Sequence, residues 1–260
     1  MVPRNSWQER YLGRFYDRDS GWIDGITEFH DLCAAAIPPG SRILDIGAGP
    51  SNLTSRFLAG LGDVHGLDAD PAVMRNDALS SADVLTGDRF PTASASVDAC
   101  VSNWVIEHLA RPLVHLQEVR RVLKPGAPYI FRTPNRHHVI YLISSLTPHA
   151  FHVAVANRLR NLPTDAHDPY PTAYAMNSTG KIRGFAAAAG LAVDTLRLVE
   201  KEPYYGMSSR ALFLLFTAYE RTVNSSERLA DFRGTMLCVL RRQPELPATQ
   251  SGPHARVDGG

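Results

Sequence analysis

The sequence predicts an α/β protein with a mostly parallel sheet covered by helices on both faces. Three observations predict it. Short apolar runs alternate with stretches of helical periodicity, the first run ends in a glycine turn, and carboxylates close the runs that follow. The chain has 260 residues, 44% of them hydrophobic, enough for one large core. Lys plus Arg number 27 and Asp plus Glu 26, a net charge of +1, so no basic stripe marks the chain as a nucleic-acid binder. The longest apolar stretches, such as Ala211 to Phe216, fall far short of the roughly 18–20 residues of a spanning helix. Met1 to Arg10 holds no apolar segment of the secretory type. Cys33, Cys100 and Cys238 stand apart with no C-x-x-C pair, which argues against a zinc ribbon or a disulfide framework. A cytoplasmic location is therefore the expectation.

Taken in order, residues 5–36 read as two helices separated by Asp19, Ser20 and Gly21, and Pro38, Pro39 and Gly40 end the second. Arg42 to Ile46 reads as the first strand, stopped by Gly47-Ala48-Gly49 and followed by a helix through Leu53, Phe57 and Leu58. Val64 to Leu67 is a second strand ending at Asp68, Pro71 to Leu79 a second helix, and Val84-Leu85 a short third strand before Asp88. Val97 to Ser102 reads as strand four, Leu113 to Leu123 as an amphipathic helix closed by Lys124-Pro125-Gly126, and Tyr129 to Arg132 as strand five. Residues 135–176 hold four prolines and five of the ten histidines and read as an inserted lid. Thr179 to Ala189 is a helix stopped by Gly190, Ala192 to Val199 a strand, 207–232 a helical insertion, and Met236 to Leu240 the last strand. The expected organisation is a single domain over 1–243, with 1–39 as an N-terminal helical lid and 244–260 as a disordered tail rich in Pro, Gly and small polar residues.

In an open parallel sheet, ligands bind outside the carboxyl ends of the strands, where strand order reverses. The unusual residues of this chain fall there. Gly47 and Gly49 let the backbone approach a ligand closely, and Asp68, 23 residues after Asp45, stands where a carboxylate can accept from a ribose diol. Asp88, after strand three, is placed to accept from an adenine amino group. The dinucleotide fingerprint G-x-G-x-x-G fails, because its last position is Asn52. A carboxylate at Asp45 would repel a pyrophosphate and suits an ammonium. S-adenosylmethionine (SAM) carries an ammonium, a carboxylate, a ribose diol and an adenine, and so matches the turn, Asp68 and Asp88 in order.

Here the chain resembles the class I SAM-dependent methyltransferases, in the group laid out like the ubiquinone and menaquinone methyltransferases. The motifs run in the family's order: Asp45-Ile46-Gly47-Ala48-Gly49-Pro50-Ser51, with Ser51 in place of a third glycine, Gly66-Leu67-Asp68-Ala69-Asp70, and Gly87-Asp88-Arg89-Phe90-Pro91. Ser96 to Asn103, Val105-Ile106-Glu107-His108-Leu109, Glu118 to Gly126 and Arg132-Thr133-Pro134-Asn135 complete the set, over about residues 40–135. The resemblance implies a Rossmann-like seven-stranded sheet of order 3-2-1-4-5-7-6, with strands six and seven as an antiparallel edge pair. It implies that Asp45, Gly47 and Gly49 hold the methionine end, with Ser51 closing the turn. Asp68 with Ala69 would take the ribose, Asp88 with the backbone of Arg89 the adenine, and Asn103 and Trp104 the sulfonium.

Methyl transfer is an in-line displacement, so holding a nucleophile about 3–3.5 Å from the methyl supplies much of the acceleration. A hydroxyl acceptor must also lose a proton. Histidine is the usual base for that, and His108 is the first candidate, with Glu107 beside it and His138 as a second. Arg14 is a candidate partner for the methionine carboxylate. No metal is expected, because His108, His149, His152 and His167 match no zinc signature. The expected reaction is methylation of a small-molecule acceptor, with oxygen favoured, in a natural-product, sugar or quinone-like pathway. The alternatives are N- or C-methylation of a lipid-like acceptor, a nicotinamide oxidoreductase, or a SAM-binding module without transfer activity.

Overall fold

The computed structural model describes residues 6–145 and 171–244. Two helices open it, α1 (Ser6–Phe15) and α2 (Gly25–Ala36), the second begun by the Asp24 carboxylate, which accepts from the Thr27 N–H at 2.8 Å. The alternating core follows: β1 (Ser41–Ile46), α3 (Leu53–Ala59), β2 (Gly62–Asp68), β3 (Ser81–Val84), β4 (Ala99–Asn103), α4 (Pro112–Val122) and β5 (Pro128–Pro134). The remainder is α5 (Val139–Ser145), α6 (Thr179–Ala188), β6 (Leu191–Val199), α7 (Arg210–Asn224) and β7 (Thr235–Arg242).

The seven strands form one sheet of order β3-β2-β1-β4-β5-β7-β6. The first five are parallel, and β7 runs antiparallel to both β5 and β6, with a register shift between Val193 and Thr195. Side chains alternate between the two faces, as the pleat requires. Tyr129, Phe131, Cys238 and Leu240 face a core closed by Leu116 and Val119 of α4 and Ile182 and Ala186 of α6. Ile130, Leu237 and Val239 face the other, closed by Phe29 and Cys33 of α2 and Leu58 of α3. A third cluster joins α1 to α7, where Phe213 is buried among Trp7, Tyr11, Phe15 and Tyr16.

Two expected helices come out shorter. Pro71 to Leu79 contracts to a 3-10 turn over Pro71–Arg75, because the Asn76 side chain turns back to the carbonyl of Gly49 (3.1 Å) and the hydroxyl of Ser55 (3.2 Å). The 207–232 segment breaks after Asn224, where Ser226 caps a separate 3-10 turn, Glu227–Phe232. Most of the inserted lid (146–170) and nearly all of the tail (245–260) lie outside the described residues. Among the described residues, no helix is long and apolar enough to cross a membrane.

Candidate active site

The order reversal between β1 and β4 places the ends of β1, β4 and β5 around one cavity of about 420 Å³, lined by Ile26, Asp45, Gly47, Asn52, Leu53, Thr54, Asn103 and Arg132. The glycine turn forms its floor. Gly47 has φ +77°, and a Cβ there would stand 2.2 Å from Val105 Cγ2, so no other residue fits without displacement. Gly49 has φ +52° and donates its N–H to Asp68 Oδ2 at 2.8 Å, while the Asp70 N–H donates to Asp68 Oδ1 at 2.8 Å. The Asp68 carboxylate is thus held across the turn before any ligand arrives. Asn52 begins α3 by accepting from the Thr54 and Ser55 N–H groups, and its amide donates to the carbonyl of Ala48 at 2.7 Å.

Asp45 is 3% exposed and accepts from the Ser55 hydroxyl at 2.9 Å. Burial pushes its carboxyl up to about 6; the Ser55 hydrogen bond opposes the shift and the charge of Asp68 adds to it. At the end of β4, Asn103 is held from both sides, its Nδ2 donating to Thr54 Oγ1 at 3.0 Å and its Oδ1 accepting from Arg132 Nε at 2.8 Å. Arg132 sits on β5, 9% exposed, with its guanidinium carbon 4.9 Å from the Trp104 ring centre and 5.5 Å from that of Phe29. Burial pulls it down to about 10, still a cation at neutral pH. Trp104 carries φ +61°, a strained backbone for a bulky residue, and its N–H donates to the Arg132 carbonyl at 2.9 Å.

Residues 44–131 match the family model described as a methyltransferase domain. The matched segment is thus a methyltransferase domain, on a fold shared with class I SAM-dependent methyltransferases. Over 228 residues, 76% of this chain and 90% of the relative, it is 29% identical to the ubiquinone biosynthesis O-methyltransferase of Paraburkholderia phymatum. Over 155 residues it is 34% identical to the protein of the same name from Cereibacter sphaeroides, a match that spans 55% of this chain and 58% of that one. The fold is that of a SAM-dependent methyltransferase from Methanosarcina mazei, with TM-score 0.55 and 16% identity over 82% of this chain and 98% of that one.

SAM is the cofactor of this methyltransferase, and the residues present fit it. Asp45 offers a buried carboxylate for an ammonium. Asp68 uses one lone pair of each oxygen on backbone N–H groups and keeps the others for hydroxyls. The remaining expected residues of the methyltransferase scatter more widely. Ser51 faces α3, accepting from Arg56 Nε at 3.2 Å. Ala69 and Arg89 are exposed, and Asp88 is exposed and ion-paired to Arg111. Glu107 is buried, accepts from the Thr133 hydroxyl at 3.0 Å, and is pushed upward in pKa by that burial. Half-buried His108 places Nδ1 3.1 Å from the carbonyl oxygen of Pro171.

His138 is not brought to the cavity. It is buried beside Glu200 (3.5 Å) and against the rings of Tyr141 and Tyr219. Arg14 lies over the Phe15 ring in the last turn of α1, also away from the lining residues. Thr54 and Arg132 enter the cavity without having been read as site residues. The signals for Arg132 were a cation inside the apolar run of strand five and its place in the Arg132 to Asn135 motif, and neither says which face of the strand is charged.

Proposed function

We propose that this methyltransferase transfers the methyl group to a hydroxyl oxygen of a small-molecule acceptor of the phenol or quinol class, in a biosynthetic pathway. The observation that carries the choice of oxygen is the setting of His108. A carbonyl oxygen only accepts, so the contact with Pro171 puts the hydrogen on Nδ1 and makes Nε2 the basic nitrogen of the neutral ring. Glu107, on the same short turn, is buried and held by the Thr133 hydroxyl. The names of the relatives from P. phymatum and C. sphaeroides, both O-methyltransferases of ubiquinone biosynthesis, support the same acceptor class.

When bound, SAM supplies an electrophilic methyl on a sulfonium. The protein's part is to hold and to exclude. Asp45 and the glycine turn would hold the ammonium end, Asp68 the ribose, and Asn103, fixed between Thr54 and Arg132, would present its second amide N–H and remaining lone pair toward the cavity. Trp104, partly exposed, lies over the Arg132 guanidinium. His108 lies outside the lining residues, on the turn after β4 beside Pro171, and would take the hydroxyl proton of an acceptor that extends from the cavity to that turn as its oxygen attacks.

The test is a panel assay with methyl-labelled SAM and catechols, hydroxybenzoates, hydroquinones, sugars, amines and carbon acids. Label in an aryl ether, with one S-adenosylhomocysteine formed per ether, is the expected result. Label only on nitrogen or carbon would overturn the oxygen assignment, and cofactor binding without transfer to any acceptor would favour the binding-module reading.

A further inference from the structure

We propose that Arg132 and Asp45 form a clamp for a zwitterionic amino-acid group, in which Arg132 takes the carboxylate of the cofactor's methionine end while Asp45 takes its ammonium. Both side chains line the same cavity, one at the end of β5 and the other at the end of β1, and both are more than nine-tenths buried. They carry opposite charges. The pair therefore matches the two charges of an α-amino acid, whereas an isolated buried arginine would be costly.

The hydrogen bonds of Arg132 point the same way. Its Nε is committed to Asn103 Oδ1, and its flat faces are covered by Trp104 and Phe29. Among the described residues its two terminal nitrogens make no hydrogen bond, and the carboxylates acting on it at longer range, Glu202, Asp24 and Glu107, form no ion pair with it. A guanidinium offers a fork that suits a carboxylate bidentately. Nη1 stands beside the start of α2, 3.7 Å from where a Gly25 Cβ would lie.

This assignment rests on the cavity holding the amino-acid end of SAM, and the experiment separates the two claims. The full chain and its Arg132→Met and Arg132→Lys variants are titrated calorimetrically with S-adenosylhomocysteine and with 5′-methylthioadenosine, which lacks the amino-acid end. The expected result for Arg132→Met is a Kd for S-adenosylhomocysteine weakened about 10- to 100-fold, as for loss of a charge-assisted hydrogen bond, with methylthioadenosine binding changed less than about twofold. Arg132→Lys should recover part of the loss, since it keeps the charge without the fork. Equal weakening for both ligands would make Arg132 only a support for Asn103 and Trp104 and would overturn the clamp. So would unchanged S-adenosylhomocysteine binding with a raised acceptor KM, which would give the arginine to an acceptor carboxylate. Failure of the parent protein to bind S-adenosylhomocysteine would remove the cofactor placement itself, and the clamp with it.

Discussion

Replacing Asp45 by asparagine should make the empty protein more stable and the cofactor bind worse. Burial raises the Asp45 carboxyl to about 6, against about 3.9 for an unperturbed aspartate. The folded protein thus holds that proton more tightly than the unfolded chain. Its contribution to stability is fully present below about pH 4 and is lost as pH rises through about 6. At ~1.4 kcal/mol per tenfold change in proton affinity, the ionised carboxylate costs the empty protein about 3 kcal/mol at pH 7. An asparagine keeps a polar partner for the Ser55 hydroxyl, now 2.9 Å from Oδ2, and removes the charge. We expect a gain of about 1–3 kcal/mol, which for a chain of this size raises Tm by roughly 3–10 °C. The same change removes the counter-charge of the ammonium and should weaken S-adenosylhomocysteine binding by about 10- to 100-fold. In the parent protein that affinity should fall as pH drops below about 6, because a proton competes for Asp45; in the variant this pH dependence should vanish. Thermal melting at pH 7 and calorimetric titrations from pH 5 to 8 measure both halves. A lowered Tm, or an affinity that Asp45→Asn leaves unchanged, would refute the reasoning.

Three further outcomes are expected. Asp68→Ala should weaken S-adenosylhomocysteine binding by about 1.5–3 kcal/mol by calorimetry, since the ribose hydroxyls lose their acceptor and the Gly49 N–H loses its partner; a change near zero would place the ribose elsewhere. His108→Ala should reduce turnover of the best phenolic acceptor by about 10²–10⁴-fold at unchanged cofactor affinity, and a variant as active as the parent would dispose of the base. Gly47→Ala should lose about 2–4 kcal/mol in urea denaturation, from the left-handed backbone and the contact with Val105 together. The double variant with Val105→Ala should recover only the packing part.

The sheet was legible because its signals are local and repeat: short apolar runs alternate with helical periodicity, and the first two runs end at Gly47 and Asp68. The order of seven strands and the antiparallel pair came only through resemblance to the family. The glycine turn and Asp68 were legible for the same reason, since spacing along one βαβ unit fixes their proximity. The Asn76 contacts that shorten the second helix span the turn after β1 and lie 27 residues away in sequence, so periodicity alone could not show them. Arg132 was hidden for a related reason. Its meaning depends on Phe29 from α2, Trp104 after β4 and Asn103, three segments that only the fold brings together. His138 shows the reverse, a histidine near the right strand whose side chain is taken up by Glu200 and Tyr219 instead.

The clasp between the Gly49 amide and Asp68 also bears on the order of events during cofactor capture. A free aspartate loses side-chain rotamer freedom when it grips a diol, and that loss subtracts from affinity. Here the carboxylate is already fixed by two backbone amides, so a nucleoside diol would meet a rigid acceptor. In the proposed clamp the amino-acid half would meet two buried charges that must shed whatever hydration they retain. Nucleoside docking would then come first, with the methionine end following.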